Sequence, residues 1–189
     1  MKKIYTIVLL LLMGLGLQAQ TKQKDGNAQE KKAIEQIRAR YAEAKRMIEY
    51  NNSSLETRNQ LVVNGSYMCS GSGHCDEVVA YYFTTDFDEE SGNFVRMPYI
   101  IQRSYNVAAR KFYEEYLYDE KGNLVFVLMT NDSYEKEGPK DENRFYWGGS
   151  DKGLIREDVK GQKTIDEVMA ARIAYDLMEA FNRLMNREF

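Results

Sequence analysis

The residues best suited to chemistry in this sequence are its single histidine and its two cysteines, and all three fall within residues 69–75. They could form a disulfide, a metal site or an activated nucleophile. A metal site built from Cys69, His74 and Cys75 lacks a fourth protein ligand, because the chain has no second histidine. A nucleophile needs a base that a third group holds in place, and the glycine–serine loop before His74 offers no rigid support. We therefore predict no catalytic use of these residues, no metal and no other cofactor.

The cysteine pair itself indicates a structural disulfide. A hairpin turn formed by the five residues between them would bring Cys69 and Cys75 opposite each other on adjacent antiparallel strands, within disulfide reach. Cysteines of exported proteins usually pair, and the start of this chain indicates export. A redox-active pair is the less favoured alternative, since its usual spacing is two residues rather than five.

Paired carboxylates are another source of catalysis, because a glycosidase needs only two of them. Glu114 and Glu115 are adjacent, so their side chains point to opposite faces of a strand. Asp88 and Asp119 precede turn glycines and are most simply solvated turn residues. Nothing in the sequence brings two carboxylates together, so we predict no enzymatic activity and keep a carboxylate-based hydrolase as an alternative.

Aromatic side chains are the third candidate feature, with 14 tyrosines, 8 phenylalanines and 1 tryptophan. Tyrosine and tryptophan on an exposed sheet face make good platforms for proteins or sugars. The same residue types also fill strands, for which they have high propensity, and a purely core role stays open as the alternative. The residues predicted to form the binding face are Tyr82, Tyr113, Tyr116, Tyr118, Tyr146 and Trp147.

The elements that must position these residues begin after a targeting segment. Residues 1–19 have the pattern of a secretory signal peptide, with Lys2 and Lys3, an apolar stretch over 4–17, and Ala19 before the cleavage point. The apolar stretch is too short for a comfortable membrane-spanning helix. No cysteine lies near the cleavage point, so a lipoprotein anchor is not expected. We predict a periplasmic or secreted protein without stable membrane insertion, in which residues 20–28 form a flexible leader.

The end of this segment, Leu17-Gln18-Ala19-Gln20, resembles the signal peptides of exported Bacteroidota proteins. The predicted layout is also similar, in a general way, to many small exported proteins of that group whose function is unknown. The resemblance implies export and transfers no functional residue to this chain.

The charge balance argues against binding to nucleic acids and to anionic lipid headgroups. Without Lys2 and Lys3, the chain carries 24 basic and 29 acidic side chains, a net charge of about −5. Proteins that bind nucleic acids need clustered basic residues, and anionic lipid headgroups attract basic rather than acidic segments. We therefore predict no nucleic-acid partner.

Two amphipathic helices are predicted, one at each end of the folded domain. In residues 29–50, apolar residues recur at intervals of three and four, at Ile34, Ile37, Tyr41, Ala44 and Ile48. In residues 164–187, a second apolar stripe runs through Ile165, Met169, Ile173, Leu177, Ala180 and Leu184. Thr164 and Glu167 match a capping box at the start of this second helix.

Residues 61–160 are predicted to form an antiparallel up-and-down meander of about seven or eight strands. Three turns support this, because Gly92, Gly122 and Gly153 each lie near an aspartate and precede a new apolar strand. The stretch 124–129 is apolar at every position, so a strand there must be covered on both faces.

The fold predicted from these patterns is α+β, a single domain over residues 29–189 in which two helices flank an antiparallel sheet. The predicted function is that of a non-catalytic exported protein that binds a protein or glycan partner through its aromatic sheet face. One alternative is a carrier of a small apolar ligand inside the curled sheet, which requires a cavity of about 300 Å³ or more. The other alternative is the carboxylate-based hydrolase.

Overall fold

The computed structural model describes residues 2–53, 59–69, 73–90, 92–132, 140–148, 153–163 and 165–185, with side chains from residue 28 onward except that of Cys69. The elements are α1 (Lys2–Ser53), β1 (Gln60–Cys69), β2 (Gly73–Asp88), β3 (Asn93–Val107), β4 (Arg110–Tyr118), β5 (Leu124–Asn131), β6 (Asp141–Trp147), β7 (Leu154–Lys160) and α2 (Glu167–Met185). The chain divides into two compact units, Met1–Arg38 and Ala39–Phe189. The last turns of α1, residues 39–53, therefore belong to the same unit as the sheet.

The seven strands form one sheet in the order β1 to β7, and every neighbouring pair is antiparallel. This confirms the predicted up-and-down meander and the α+β class. Two predicted turns have the expected chemistry, because Gly92 and Gly122 adopt positive φ angles of 69° and 79°. Asp88 and Asp119 accept backbone hydrogen bonds within these turns, from the N–H groups of Glu90 and Lys121.

One hairpin lies where the sequence contains no turn signal. Val107 pairs with Arg110, so β3 and β4 are joined by a loop of two alanines, and Ala108 has a φ of 54°. This left-handed conformation costs a residue with a Cβ atom roughly 1–2 kcal/mol. The Asn106 amide supports the loop, since it donates to the carbonyl groups of Ala108 and His74 at 3.3 and 3.1 Å. Tertiary hydrogen bonds thus stabilise a turn that glycine or asparagine would ordinarily form.

Residues 39–53 of α1 and the helix α2 cover opposite faces of the sheet. On one face, Ala170, Ala174 and Phe181 of α2 belong to a core cluster that includes Tyr116 and Phe145. On the other face, the ring of Tyr41 from α1 lies 5.0 Å from that of Phe126. The central residues of the predicted two-sided strand, Val125, Phe126 and Val127, are all buried. The prediction that 124–129 is covered on both faces is confirmed at its centre.

The helix boundaries differ from the predicted ones. The helix predicted over 29–50 is part of α1, which extends from Lys2 to Ser53 and includes the leader predicted over 20–28. Residues 22–28 contain lysine, glutamine and alanine, which favour continuation of a helix once it has begun, and one glycine is tolerated at a cost of about 1 kcal/mol. Cleavage after Ala19 stays a prediction. Among the residues whose side chains are described, no helix combines the length and the apolar character needed to cross a membrane.

The second helix begins at Glu167 rather than at residue 164, and the Asp166 carboxylate caps it by accepting the N–H of Met169 at 2.8 Å. Thr164, the predicted capping residue, and residues 186–189 lie outside the described residues. The buried face is centred on Ala170, Ala174 and Phe181, whereas Met169 and Leu184 of the predicted stripe are exposed. Small alanines let the helix backbone approach the sheet closely, and the Tyr118 hydroxyl reaches the carbonyl of Ala174 at 2.8 Å.

Candidate functional site

The aromatic binding face predicted from the sequence is not an exposed surface. Tyr116 and Tyr146 are 0% and 1% exposed, and Tyr82 and Tyr118 are also buried. The two remaining residues, Tyr113 and Trp147, are half-buried. Because a helix covers each face of the sheet, rings on both faces of the central strands pack in the core. The six predicted residues therefore form no common exposed patch.

Ser66, His74 and Asp76 meet on the β1–β2 hairpin, although the sequence does not predict their meeting. The His74 Nε2 atom lies 2.9 Å from the Ser66 hydroxyl and 3.1 Å from the Asp76 carboxylate. A catalytic triad needs the serine on one ring nitrogen and the carboxylate on the other, so that the carboxylate orients the base. Here both partners contact the same nitrogen, and His74 is 60% exposed. The cluster has the residue types of a triad without its geometry.

The cysteines lie on the same hairpin with a different register from the predicted one. Cys75 pairs with Tyr67, whereas Cys69 pairs with Gly73, so the two cysteines are diagonal rather than directly opposite neighbours. Gly73 and His74, which the prediction placed in the turn, belong to β2. Cys75 is 1% exposed.

Glu115 is the acceptor of a buried polar network on the α1 face of the sheet. Its carboxylate accepts hydrogen bonds from Tyr41, Tyr113, Lys45 at 2.6 Å and Gln102 at 2.9 Å. Burial alone would raise the pKa of Glu115, but the hydrogen bonds from Lys45 and the two tyrosines lower it. Glu115 is therefore a fully satisfied carboxylate that stays ionised at neutral pH.

Glu114 is the acceptor of a second network on the α2 face. It accepts hydrogen bonds from Tyr116 at 2.6 Å, Tyr105 at 2.9 Å and Arg103 at 3.2 Å. Arg103 also binds the carboxylate of Glu77. The prediction that Glu114 and Glu115 point to opposite faces is confirmed, and both are buried. The sheet separates the two carboxylates, so this pair does not have the shared cleft of a glycosidase.

A cleft of about 310 Å³ lies between the last turns of α1 and one end of the sheet. Arg40, Glu43, Ala44 and Met47 of α1 form one wall, and their spacing of three and four residues places them on one helix face. Of the apolar lining residues, Ala44, Leu117 and Pro98 are buried, whereas Met47, Met97 and Tyr99 keep accessible surface. The inner part of the cleft is therefore apolar.

Two hydrogen bonds from α1 lie near the two ends of the cleft. At one end, Arg40 donates to the Glu120 carboxylate at 2.9 Å. Beyond the other end, the Asn51 amide donates to the Tyr99 hydroxyl at 3.1 Å. Burial raises the pKa of Tyr99 to about 12, so this hydroxyl remains neutral. At a rise of 1.5 Å per residue, Arg40 and Asn51 are about 16 Å apart along the helix axis.

Sequence reasoning missed this cleft although it detected the helix. Arg40 and Met47 flank the predicted apolar stripe, but their partners Asp86, Met97 and Glu120 are distant in sequence. No periodicity within α1 shows which part of its face remains uncovered by the sheet.

A pair of exposed rings marks the β2–β3 hairpin. Phe87 and Phe94 are 58% and 61% exposed, and their ring centroids lie 5.4 Å apart in an edge-to-face arrangement. They pair across the two strands near the turn. No pattern in the sequence indicates this exposed pair.

Comparison with protein-family models, with curated proteins and with solved structures returns no match to this chain. Among the described residues, no three histidine, cysteine, aspartate or glutamate side chains come together as a set of metal ligands.

Proposed function

We propose that this chain is an exported, non-catalytic binding protein that carries a small ligand with an apolar body in the cleft between α1 and the sheet. The observation that supports the proposal is the cleft volume of about 310 Å³ together with its apolar inner surface. Small-ligand sites are concave, mostly apolar and of this size or larger. The ligand would lie against Met47, Met97 and Tyr99, between the helix and the sheet rather than inside a curled sheet.

The alternatives have weaker support. Binding through the aromatic sheet face loses its surface, because four of the six predicted rings are buried. Hydrolysis by carboxylates loses its geometry, because the networks of Glu114 and Glu115 lie on opposite faces and engage both groups. A protein or glycan partner has one observation in its favour, the exposed pair Phe87 and Phe94.

Filling the cleft is expected to weaken the binding of a small apolar probe. N-phenyl-naphthylamine is neutral and fluoresces in apolar surroundings, so we expect saturable binding of one molecule per chain. In the variant Met47→Trp, an indole at the rim would occupy the cleft and weaken binding about tenfold or more. A fluorescence titration of both proteins measures the difference.

Tyr50→Trp is the matched control, because Tyr50 lies on the same helix, is 63% exposed and does not line the cleft. This variant should bind the probe as the unmodified protein does. Unchanged binding by Met47→Trp would show that the probe occupies another place. If the unmodified protein binds no apolar probe at all, the cleft is not a carrier site and the partner surface at Phe87 and Phe94 becomes the better candidate.

Export and the disulfide form the other part of the proposal. We expect the protein isolated from the periplasm or the medium to lack residues 1–19 and to contain a Cys69–Cys75 bond. The burial of Cys75 and the position of both cysteines on the β1–β2 hairpin support this pairing. Alkylation with and without prior reduction should change the intact mass by two blocked thiols. Two thiols that react without reduction would refute the disulfide.

A further inference from the structure

The cleft between α1 and the sheet has an excess of negative charge at its rim. Four carboxylates line it, those of Glu43, Asp86, Asp119 and Glu120, against the single guanidinium of Arg40. Arg40 forms its ion pair with Glu120. Three carboxylates therefore remain in excess around a cavity whose inner surface is apolar.

Two of these carboxylates are available to a ligand. Among the described residues, neither Glu43 nor Asp86 has an ion-pair or hydrogen-bond partner for its side chain, and both are exposed at the rim. They lie on opposite walls, Glu43 on α1 and Asp86 on β2. A cation between the walls would be attracted by both carboxylates.

The third carboxylate contributes charge rather than a contact. Asp119 accepts hydrogen bonds from the N–H groups of Lys121 and Asn123 and from the Asn123 amide. Partial burial would raise the pKa of Asp119, but these hydrogen bonds and the nearby Arg40 lower it. The group therefore stays ionised and adds to the negative potential of the cleft.

We propose that the ligand of this cleft is an amphipathic cation, a small molecule with an apolar body and a protonated amine. This inference rests on the proposed function, which requires only that the cleft carry an apolar body. The apolar part lies against Met47, Met97 and Tyr99, and the ammonium group lies at the rim between Glu43 and Asp86. An anionic ligand of the same shape is repelled by the excess carboxylates.

Three probes that share one apolar chain and differ in charge test the inference: octylammonium, octanol and octanoate. Isothermal titration calorimetry with the full chain at low ionic strength measures the three affinities directly. We expect octylammonium to bind about tenfold more tightly than octanol, since exposed ion pairs are individually weak and two act together. Octanoate should bind more weakly than octanol.

Two charge-removing variants locate the ammonium group. Glu43→Gln and Asp86→Asn should each weaken octylammonium binding about threefold and leave octanol binding unchanged. Glu49→Gln is the matched control, because Glu49 is exposed on α1 and does not line the cleft. This control should change neither affinity, which separates the local carboxylates from the net charge of the chain.

The outcomes separate this inference from the proposed function. If octanol or octanoate binds as tightly as octylammonium, or if neither variant weakens octylammonium more than Glu49→Gln does, the cationic ligand is refuted and the apolar carrier stands. If none of the three probes binds, the proposed function itself is refuted. Octylammonium binding that weakens with added salt while octanol binding does not supports the inference.

Discussion

We expect the free energy of unfolding of the variant Arg103→Met to be about 3–5 kcal/mol lower than that of the unmodified protein. Removing one partner of a buried ion pair leaves an uncompensated charge. Arg103 is the cation between two carboxylates, those of Glu77 and Glu114. The Glu114 side chain is only 5% exposed, so water cannot replace the lost partner. The guanidinium also lies 4.3 Å from the centroid of the Tyr105 ring, a contact that the thioether of methionine replaces only in part.

Urea denaturation followed by circular dichroism measures this loss at neutral pH. Arg183→Met is the control, since Arg183 is 80% exposed and its ion pair with Glu179 should contribute only about 0.3–0.5 kcal/mol. The double variant Arg103→Met, Glu114→Gln should recover part of the stability, because it removes the buried charge as well. A loss below about 1 kcal/mol in the single variant would mean that the network is solvated and has little structural weight.

The variant Phe181→Ala is expected to lose about 3–5 kcal/mol through the cavity it creates under α2. Phe181 is fully buried, and its ring centroid lies 5.5 Å from that of Tyr81 and 5.4 Å from that of Phe83. Ala170 and Ala174, the other buried residues of this helix, have small side chains. Phe181 is therefore the large apolar anchor by which α2 contacts the sheet.

The same denaturation experiment with Leu184→Ala provides the comparison. Leu184 lies one turn further along α2 and is 46% exposed, so its loss should cost less than about 1 kcal/mol. Leu184 belongs to the apolar stripe predicted from the sequence, whereas Phe181 is not among its residues. Equal losses in the two variants would contradict the observed rotation of the helix and favour the predicted one.

These two variants weaken the fold at a distance from the cleft. Arg103 and Phe181 act on the α2 face, whereas the cleft lies on the α1 face of the sheet. In conditions where both variants remain folded, we expect them to bind the apolar probe as the unmodified protein does. Stability and binding can therefore be measured separately.

Much of the fold was predictable because local patterns encode it. The alternation of apolar strands with turns at Gly92 and Gly122 indicates a meander, and each turn needs only a few neighbouring residues. The hairpin at Ala108 was not predictable in this way, because its support comes from Asn106, which also reaches across to His74. A turn that depends on a neighbouring strand leaves no local signal.

The candidate site was much less predictable. Tyrosine has the same strand propensity whether it binds a partner or fills the core, so the sequence could not separate Tyr116 from an exposed ring. The same limit applies to Glu114 and Glu115, which the sequence placed on opposite faces without indicating burial. Their burial depends on Arg103 and Lys45, which lie 11 and 70 residues away in the chain.

The sequence by itself determined the order of the elements, the antiparallel meander and the presence of a helix at each end, because these follow from periodicity and turn chemistry within short windows. Only the tertiary structure decided which rings are buried, how α2 is rotated, and that Glu43 and Asp86 line the same cleft. Each of these depends on residues that meet through packing of helices on the sheet. Such contacts are set by the shape and charge of both partners, and no window along one chain segment contains both.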